Sequence, residues 1–322
     1  MIKIETAKQI ADKTLDLIEK RRSGNWRSLR TRWKKVNKQT MGGIEPNTIV
    51  TIGGMSGSGK TAFANMIVND FIKDHPGVVT LFFSLEMLPE RLFLRSISSE
   101  MRVRVRDLFS ADIRLNDERM STVKNELNKL ASQRIYYISE TCTADEITDI
   151  ITQFKDRLQH DQILVVVIDH VLLIKGIGQD NVKQMLDHLQ TKLNFLKKTG
   201  RIIIIQLSQL NRDIETSVRI MNPQLHYPLK SDLSSSDNMY QLSDYVMIIH
   251  NPAQLGIISY GIFKVPTKDY IYLHMLKMRD SGKPCVLQLR NDLANNNLIE
   301  EGEINLKTED PGQTELKFNE DK

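Results

Sequence analysis

The sequence predicts an α/β fold with a mainly parallel, twisted sheet covered on both faces, and three observations predict it. Strand-like apolar runs alternate with helix-period patterns from Gly42 onward, the order that gives right-handed crossovers between parallel strands. Between the first run, Thr48-Ile49-Val50-Thr51-Ile52, and a helical pattern starting near Thr61 stands Gly54-Met55-Ser56-Gly57-Ser58-Gly59-Lys60-Thr61, which fits G-x-x-x-x-G-K-[ST]. Further on, Ile163-Leu164-Val165-Val166-Val167-Ile168-Asp169 is an unbroken apolar run ending in a carboxylate, as a strand buried on both faces should be.

The totals fit that class. The chain has 322 residues, 40% apolar and 26% charged, enough to bury a sizeable core in one large or two small domains. No apolar run reaches the roughly 18 residues of a membrane span. The first residues are charged rather than leader-like, so a cytoplasmic protein without membrane contact is expected. Cys142 and Cys285 lie far apart and match no metal-ligand spacing; they read as reduced thiols. The formal net charge of +4 hides an asymmetry, with +8 on residues 1–40, −5 on residues 300–322 and a middle near +1. A basic arm can attract nucleic acid, and it is as often a solvated surface.

Taken in order, Ile4, Ala7, Ala11, Leu15 and Ile18 recur at spacings of three and four, which places one apolar stripe on a helix over about 5–22. Ser23-Gly24-Asn25 breaks the pattern, and Trp26 to Thr40 is basic with little period. Residues 1–40 therefore read as a basic linker helix and linker outside the main domain. The stripe needs a partner, which is either its own domain or a neighbouring subunit. Residues 41–292 read as the main domain, with strand and helix pairs at 48–53 and 60–74, 78–84 and 89–100, 134–138 and 144–159, and 163–169 and 181–199. Further strand-like runs follow at 201–207, 244–250, 260–263, 271–277 and 285–289. From about Arg290 the chain turns polar, and residues 293–322 read as an acidic, disordered tail.

The loop at 54–61 is built for phosphate. Its glycines let backbone N–H groups turn inward, the helix start adds the positive end of its dipole, Lys60 brings a mobile charge and the Thr61 hydroxyl can hold Mg²⁺. Gly54, Ser56, Gly57, Ser58, Gly59, Lys60 and Thr61 are the expected nucleotide contacts. Asp169 at its strand end is the expected Mg²⁺ partner opposite Thr61, through water. Phe82-Phe83-Ser84-Leu85-Glu86-Met87 closes the strand after the phosphate-loop helix, which brings Glu86 to the same sheet edge as a candidate general base. Its alternative role is a charge at a helix start, which Glu90 would serve as well. Gln209 follows another buried run, Ile202 to Leu207, and could touch the γ-phosphate. Lys277 and Arg279, two apart on a strand that leads into a hairpin, share a face. Two cations on one face need an anion, either a neighbouring subunit's γ-phosphate or a surface carboxylate.

The motifs in this order resemble the RecA-type motor domain of DnaB-like replicative DNA helicases, the ring-forming superfamily 4 enzymes. The resemblance runs from about Ser28 to Arg290. It rests on GGIEP at 42–46, GMSGSGKTAFA at 54–64, FSLEM at 83–87 with Arg95 downstream, VVVIDHVLLI at 165–174, QLSQLNRDIE at 206–215, SDLSSSDNMYQLSD at 231–244 and KMRDSG at 277–282. It implies a RecA-like P-loop NTPase core in a homo-hexamer that binds ATP and Mg²⁺ between subunits, translocates on single-stranded DNA and unwinds duplex during replication. It further implies that Glu86 activates water, that Gln209 senses the γ-phosphate, and that Lys277 and Arg279 act across the interface as a lysine and an arginine finger. The helix over 5–22 would lie against the next subunit, and primase or a helicase loader would be the protein partner.

Several positions depart from the family pattern. His170 and Leu172 stand where Tyr and Gln are usual, and Ser234, Ser235 and Asp237 stand where Arg, Glu and Gly are common in a loop that contacts the DNA backbone. Backbone N–H and serine hydroxyls can still bind phosphate, but a lost arginine lowers the salt dependence of binding. The loops at 175–181 and 212–230 are the other expected DNA contacts. Only about forty residues precede the motor, so the separate N-terminal helical domain of many members is expected to be missing. Two rival readings share the nucleotide site: a RecA-class ATPase that assembles on DNA for recombination or loading without unwinding, and an ATPase ring that acts on protein.

Overall fold

The computed structural model describes residues 4–24, 28–112, 114–176, 181–224, 226–233, 237–279 and 282–306. Helix α1 (Ala7–Arg22) opens the chain and the short α2 (Lys34–Gln39) follows. Two strand and helix pairs come next, β1 (Thr48–Gly54) with α3 (Lys60–Asp74), and β2 (Val78–Ser84) with α4 (Pro89–Met101). Helices α5 (Val105–Phe109) and α6 (Asp117–Ala131) then lead to β3 (Ile135–Ile138) and α7 (Ala144–Asp156). After β4 (Ile163–Asp169), α8 (Val182–Lys197) and β5 (Ile202–Gln209) come the short α9 (Ser217–Ile220) and α10 (Asp237–Leu242), and then β6 (Tyr245–His250). A two-stranded ribbon of β7 (Ser259–Tyr260) and β8 (Val265–Pro266) precedes the closing meander of β9 (Tyr270–Met278), β10 (Cys285–Asp292) and β11 (Asn297–Ile304).

The main sheet has the order β11-β10-β9-β6-β1-β5-β4-β2-β3. Strands β1 to β6 pair in parallel, and β9, β10 and β11 continue the sheet antiparallel. The period of two explains why the central runs are apolar throughout. Val165, Val167, Ile203, Ile205 and Leu207 face the core shared with α3, while Leu164, Val166, Ile168, Ile202 and Ile204 face the core shared with α7 and α8. Both faces are covered, as the alternation of strands and helices predicts.

Two boundaries differ from the sequence reading, and one set of contacts explains both. Residues 28–40 are not a linker: Leu29, Trp33 and Val36 are buried in the core on the α3 face. Leu29 and Ile44 exchange backbone hydrogen bonds at 2.8 and 2.9 Å, and Arg32 forms an ion pair with Asp70 of α3 at 2.8 Å. Nor is the stretch after 292 a tail from its start, because residues 297–304 form edge strand β11, whose Leu298 joins the same core. The Trp33 indole N–H donates to the Leu298 carbonyl at 2.9 Å, and the Lys35 amide donates to the Glu300 carboxylate at 2.9 Å. Each segment is too short to show a period alone, and each supplies what the other lacks. The rest of the acidic tail, residues 307–322, lies outside the described residues.

Trp33 packs against Phe63 with ring centroids 4.6 Å apart and the planes tilted by 36°. Trp33→Ala removes this packing and leaves a carbonyl of β11 without its donor, so it is expected to cost roughly 3–5 kcal/mol. The midpoint of urea unfolding checks this, and a shift no larger than that of a surface substitution would return residues 28–40 to a linker.

Other differences are smaller. Helix α6 has no counterpart among the sequence expectations, although Met120, Val123, Leu127 and Leu130 stand at helical spacing after the Asn116 cap; only Leu130 is buried, so the apolar signal is thin. The run at 260–263 forms strand only at its first residue, in β7. Helix α1 is present with a Thr6 capping box, but it buries no residue, and Ile10, Leu15 and Ile18 remain exposed. Among the described residues its apolar stripe is therefore left uncovered. Near its end, Arg21 pairs with Glu45 of the main domain at 2.7 Å.

At the carboxyl end of β6, His250 is fully buried beside His226 and Tyr260, with the two imidazoles 5.2 Å apart. Among the described residues no hydrogen bond closes on a ring nitrogen of His250, and His226 faces the Arg219 backbone without closing to full hydrogen-bond geometry. Burial holds both below the ordinary histidine range, and the Arg219 charge adds to the effect. The unfolded chain takes up protons near pH 6.5 that the folded chain refuses, so stability present above that pH is lost as pH falls below it, by up to about 1.4 kcal/mol per pH unit for each group. Urea midpoints at pH 7.5 and 5.5 measure the loss, and His250→Phe is expected to flatten the dependence.

Candidate nucleotide site

Strand β1 delivers the chain into the phosphate loop, and the loop's shape depends on small residues. A Cβ on Gly54 would lie 2.5 Å from Ser58 Oγ and 2.8 Å from the Ile249 carbonyl, so only glycine fits between the loop and β6. Gly59 has φ +99°, a conformation that L side chains rarely adopt, and it caps the start of α3. The amides of the first turn of α3 therefore open toward the loop. Ser58 is buried with its hydroxyl unpartnered among the described residues, while Ser56 and Gly57 are exposed at the loop's tip. Lys60 is 8% exposed and curls across the loop, donating from Nζ to the carbonyls of Gly54 at 2.9 Å and Met55 at 2.8 Å. Burial lowers its pKa, and the charges of Glu86 and Asp169 oppose that shift.

Those two carboxylates converge on the loop because β2 and β4 are neighbours in register, with Ser84 level with Asp169 and the Leu85 amide donating to the Asp169 carbonyl at 2.8 Å. Asp169 is fully buried and its pKa is pushed up to about 6, chiefly by burial. The Thr61 hydroxyl faces it and offsets part of the rise without closing to full hydrogen-bond geometry. Both carboxylate oxygens have no protein partner among the described residues. A buried, unpartnered carboxylate facing a threonine hydroxyl at a phosphate loop fits the oxygen donors that Mg²⁺ prefers.

Glu86 lies just past β2 with its side chain half exposed, able to meet both loop and solvent. Its carboxylate is 3.7 Å from His170 Nε2, whose ring is nearly buried. Burial lowers the His170 pKa, against the pull of Glu86. Arg95, on α4, is a second residue to which the sequence assigns no task. Its pKa is lowered by burial while Asp169 and Glu86 act to raise it, which places a guanidinium in their field. The helical position of Arg95 gives no sign of this. Gln209 ends β5 in register with Gly54, level with the first glycine of the loop.

Lys277 and Arg279 do not join this group. Gly54 is level with Ile249 of β6, whereas Met278 is level with Tyr245, at the other end of the same strand. With about 3.3 Å per residue and 4.8 Å between strands, the backbones of Lys277 and Arg279 stand roughly 14 and 19 Å from Gly54. They do share a face: Lys277 Nζ donates to the carbonyls of Tyr240 and Gln241, and Arg279 pairs with Asp244 at 2.7 Å. Both alternatives open at sequence level thus meet here, since Arg279 has a carboxylate partner and still lies at an exposed end of the sheet.

Of the expected DNA-contact positions, Ser234 and Ser235 lie outside the described residues, as do 177–180. Asp237 is exposed at the start of α10. In the 212–230 segment Arg219 turns inward, holding Asp232 at 2.7 Å and the Tyr227 carbonyl at 2.7 Å, while Arg212 and Lys230 are exposed. Among the described residues no helix is long and apolar enough to cross a membrane.

Comparison with known proteins shows the family and the fold. The family described as DnaB-like helicase C terminal domain matches residues 11–264. A replicative DNA helicase DnaB of Buchnera aphidicola subsp. Baizongia pistaciae is 28% identical over 248 residues, covering 75% of this chain and 51% of the relative. The protein of the same name from Helicobacter pylori strain J99 is 26% identical over 248 residues, 76% of this chain and 48% of its own length. The chain thus spans about half the length of the curated relatives it matches. Among solved structures, one described as an ATPase domain superposes with TM-score 0.77 at 18% identity, covering 92% of this chain and 99% of that one. A DnaB-like replicative helicase, described with its interactions with primase, gives TM-score 0.75 at 18% identity over 96% of this chain and 69% of that one.

Proposed function

Because the chain belongs to the family of DnaB-like helicase C-terminal domains, we propose that it is the motor of a replicative DNA helicase, hydrolysing ATP between the subunits of a ring, a hexamer by the family resemblance, to move along single-stranded DNA. One observation carries the reading furthest. A single sheet presents phosphate loop, buried carboxylate and Glu86 at one end and a pair of cations at the other, which supports a pocket shared between two chains placed side by side. In this reading Gly54, Ser56, Gly57, Ser58, Gly59 and Lys60 cradle the triphosphate, Glu86 orients the attacking water, Gln209 reports the γ-phosphate, and Lys277 and Arg279 of one subunit stabilise charge on the next subunit's nucleotide. Thr61 and Asp169 would hold Mg²⁺, which when bound neutralises charge on the β- and γ-phosphates. The exposed stripe of α1, with Ile10, Leu15 and Ile18, supports docking on a neighbouring subunit over docking on its own. Primase or a loader as partner, and a cytoplasmic location consistent with free Cys142 and Cys285, belong to the same proposal.

Forked-duplex unwinding and ATPase assays with and without single-stranded DNA test it. Turnover raised by single strands together with strand separation supports the motor. Stimulation without unwinding favours a DNA-assembled scaffold, and no stimulation at all favours a ring acting on protein.

A further inference from the structure

Lysine and arginine side chains are long and flexible, and a cation that must meet a phosphate on another subunit gains if its arm is aimed beforehand. Here the aim comes from the corner between α10 and β6. Lys277 Nζ donates to Tyr240 O and Gln241 O, each at 2.8 Å, in the last turn of α10 where carbonyls lack helical partners. Arg279 donates from Nη1 to Asp244 Oδ1 at 2.7 Å, and its backbone N–H donates to the Asp244 carbonyl at 2.9 Å.

Asp244 is itself fixed from two other elements. Its Oδ2 accepts from the Ile49 amide of β1 at 2.8 Å, and Lys197 Nζ of α8 donates to its two oxygens at 3.0 and 2.8 Å. Asp244 is 8% exposed and Lys197 5%, whereas the Arg279 side chain is 43% exposed. Arg279 Nη2 also reaches the Gln241 carbonyl at 3.5 Å, so Asp244 and the end of α10 together fix the direction of the planar guanidinium. Strand β1 ends in the phosphate loop at Gly54 and, near its other end, offers the Ile49 amide that fixes Asp244. One rigid strand thereby relates the nucleotide a chain binds to the cation it presents.

We propose that Asp244 is a positioning residue which, anchored by Ile49 and Lys197, aims Arg279 at the nucleotide of the neighbouring subunit; this rests on the reading above that Arg279 acts across the interface. The test is Asp244→Asn, assayed for kcat, KM and nucleotide affinity, alone and mixed with Lys60→Ala. The expected result is a kcat lowered on the order of 10²-fold, as for a reacting group misplaced by about 1 Å, with KM and affinity little changed. Mixing is expected to restore turnover, because the Asp244→Asn subunits keep intact phosphate loops that Lys60→Ala neighbours can serve. Asp244→Asn leaves the Lys197 charge buried without its carboxylate, so the double variant Asp244→Asn/Lys197→Met repeats the test with that charge removed.

A double variant with near-normal kcat, while Arg279→Ala is inactive, overturns the positioning role and leaves the trans reading standing. So does a loss of turnover that mixing does not restore in a double variant that binds nucleotide normally. Normal turnover by Arg279→Ala overturns the trans reading and this inference with it.

Discussion

Replacing Arg279 by alanine is expected to lower ATP turnover by a factor on the order of 10³ or more while nucleotide affinity stays near that of the unaltered chain. Arg279 stands at the far end of the sheet from its own phosphate loop, so its loss removes nothing that the bound triphosphate touches in the same subunit. The fold should survive, since Asp244 retains Lys197 and the Ile49 amide. Lys60→Ala is the complementary lesion, with an impaired loop and an intact cation pair. Mixed rings would contain interfaces at which a sound loop meets a sound Arg279, and part of the turnover should return with a maximum at intermediate mixing ratios. Steady-state phosphate release across a mixing series measures this. Full activity of Arg279→Ala alone, or a flat mixing curve with both single variants inactive, would remove the shared pocket from the account.

The phosphate loop, β4 with its terminal Asp169, and the position of Glu86 were legible in the sequence because each is local. A buried parallel strand is apolar throughout, and the residue that ends it is forced to the sheet's carboxyl edge, so chain position alone locates the chemistry. What escaped the sequence depends on pairing between distant segments. Trp33 finds its hydrogen-bond acceptor at Leu298, 265 residues away, and neither segment carries enough apolar residues to announce itself. His170 and Arg95 were visible as residues, but their surroundings were not: His170 approaches Glu86 from the neighbouring strand and Arg95 lies in the field of Asp169 and Glu86 from α4, and spacing along the chain does not encode that. The cation pair was legible as a pair, but its distance from the loop was not, because that depends on the register of β9 against β6 and of β6 against β1.

The second large effect separates stability from function at one residue. Asp169 keeps its proton to about pH 6 in the folded chain against 3.8 for the free group, since burial disfavours the charged form. As pH rises from 3.8 to about 6 the unfolded chain releases this proton first, so the folded state loses roughly 3 kcal/mol over that window and does not regain it above. Asp169→Asn carries no such charge. In metal-free buffer at about pH 8 it is therefore expected to unfold at higher urea than the unaltered chain, by up to that amount, and to show little advantage at about pH 4. With ATP and Mg²⁺ the order should reverse, because only the carboxylate offsets its burial by holding a divalent cation, and turnover of Asp169→Asn should fall by roughly 10²-fold or more. Urea midpoints at the two pH values, with and without nucleotide and metal, give both signs in one series. An Asn variant no more stable at the higher pH than the unaltered chain would mean that the Thr61 hydroxyl, Lys60 and Arg95 already balance the buried charge. The site would then be stable without its ligand rather than strained in readiness for it.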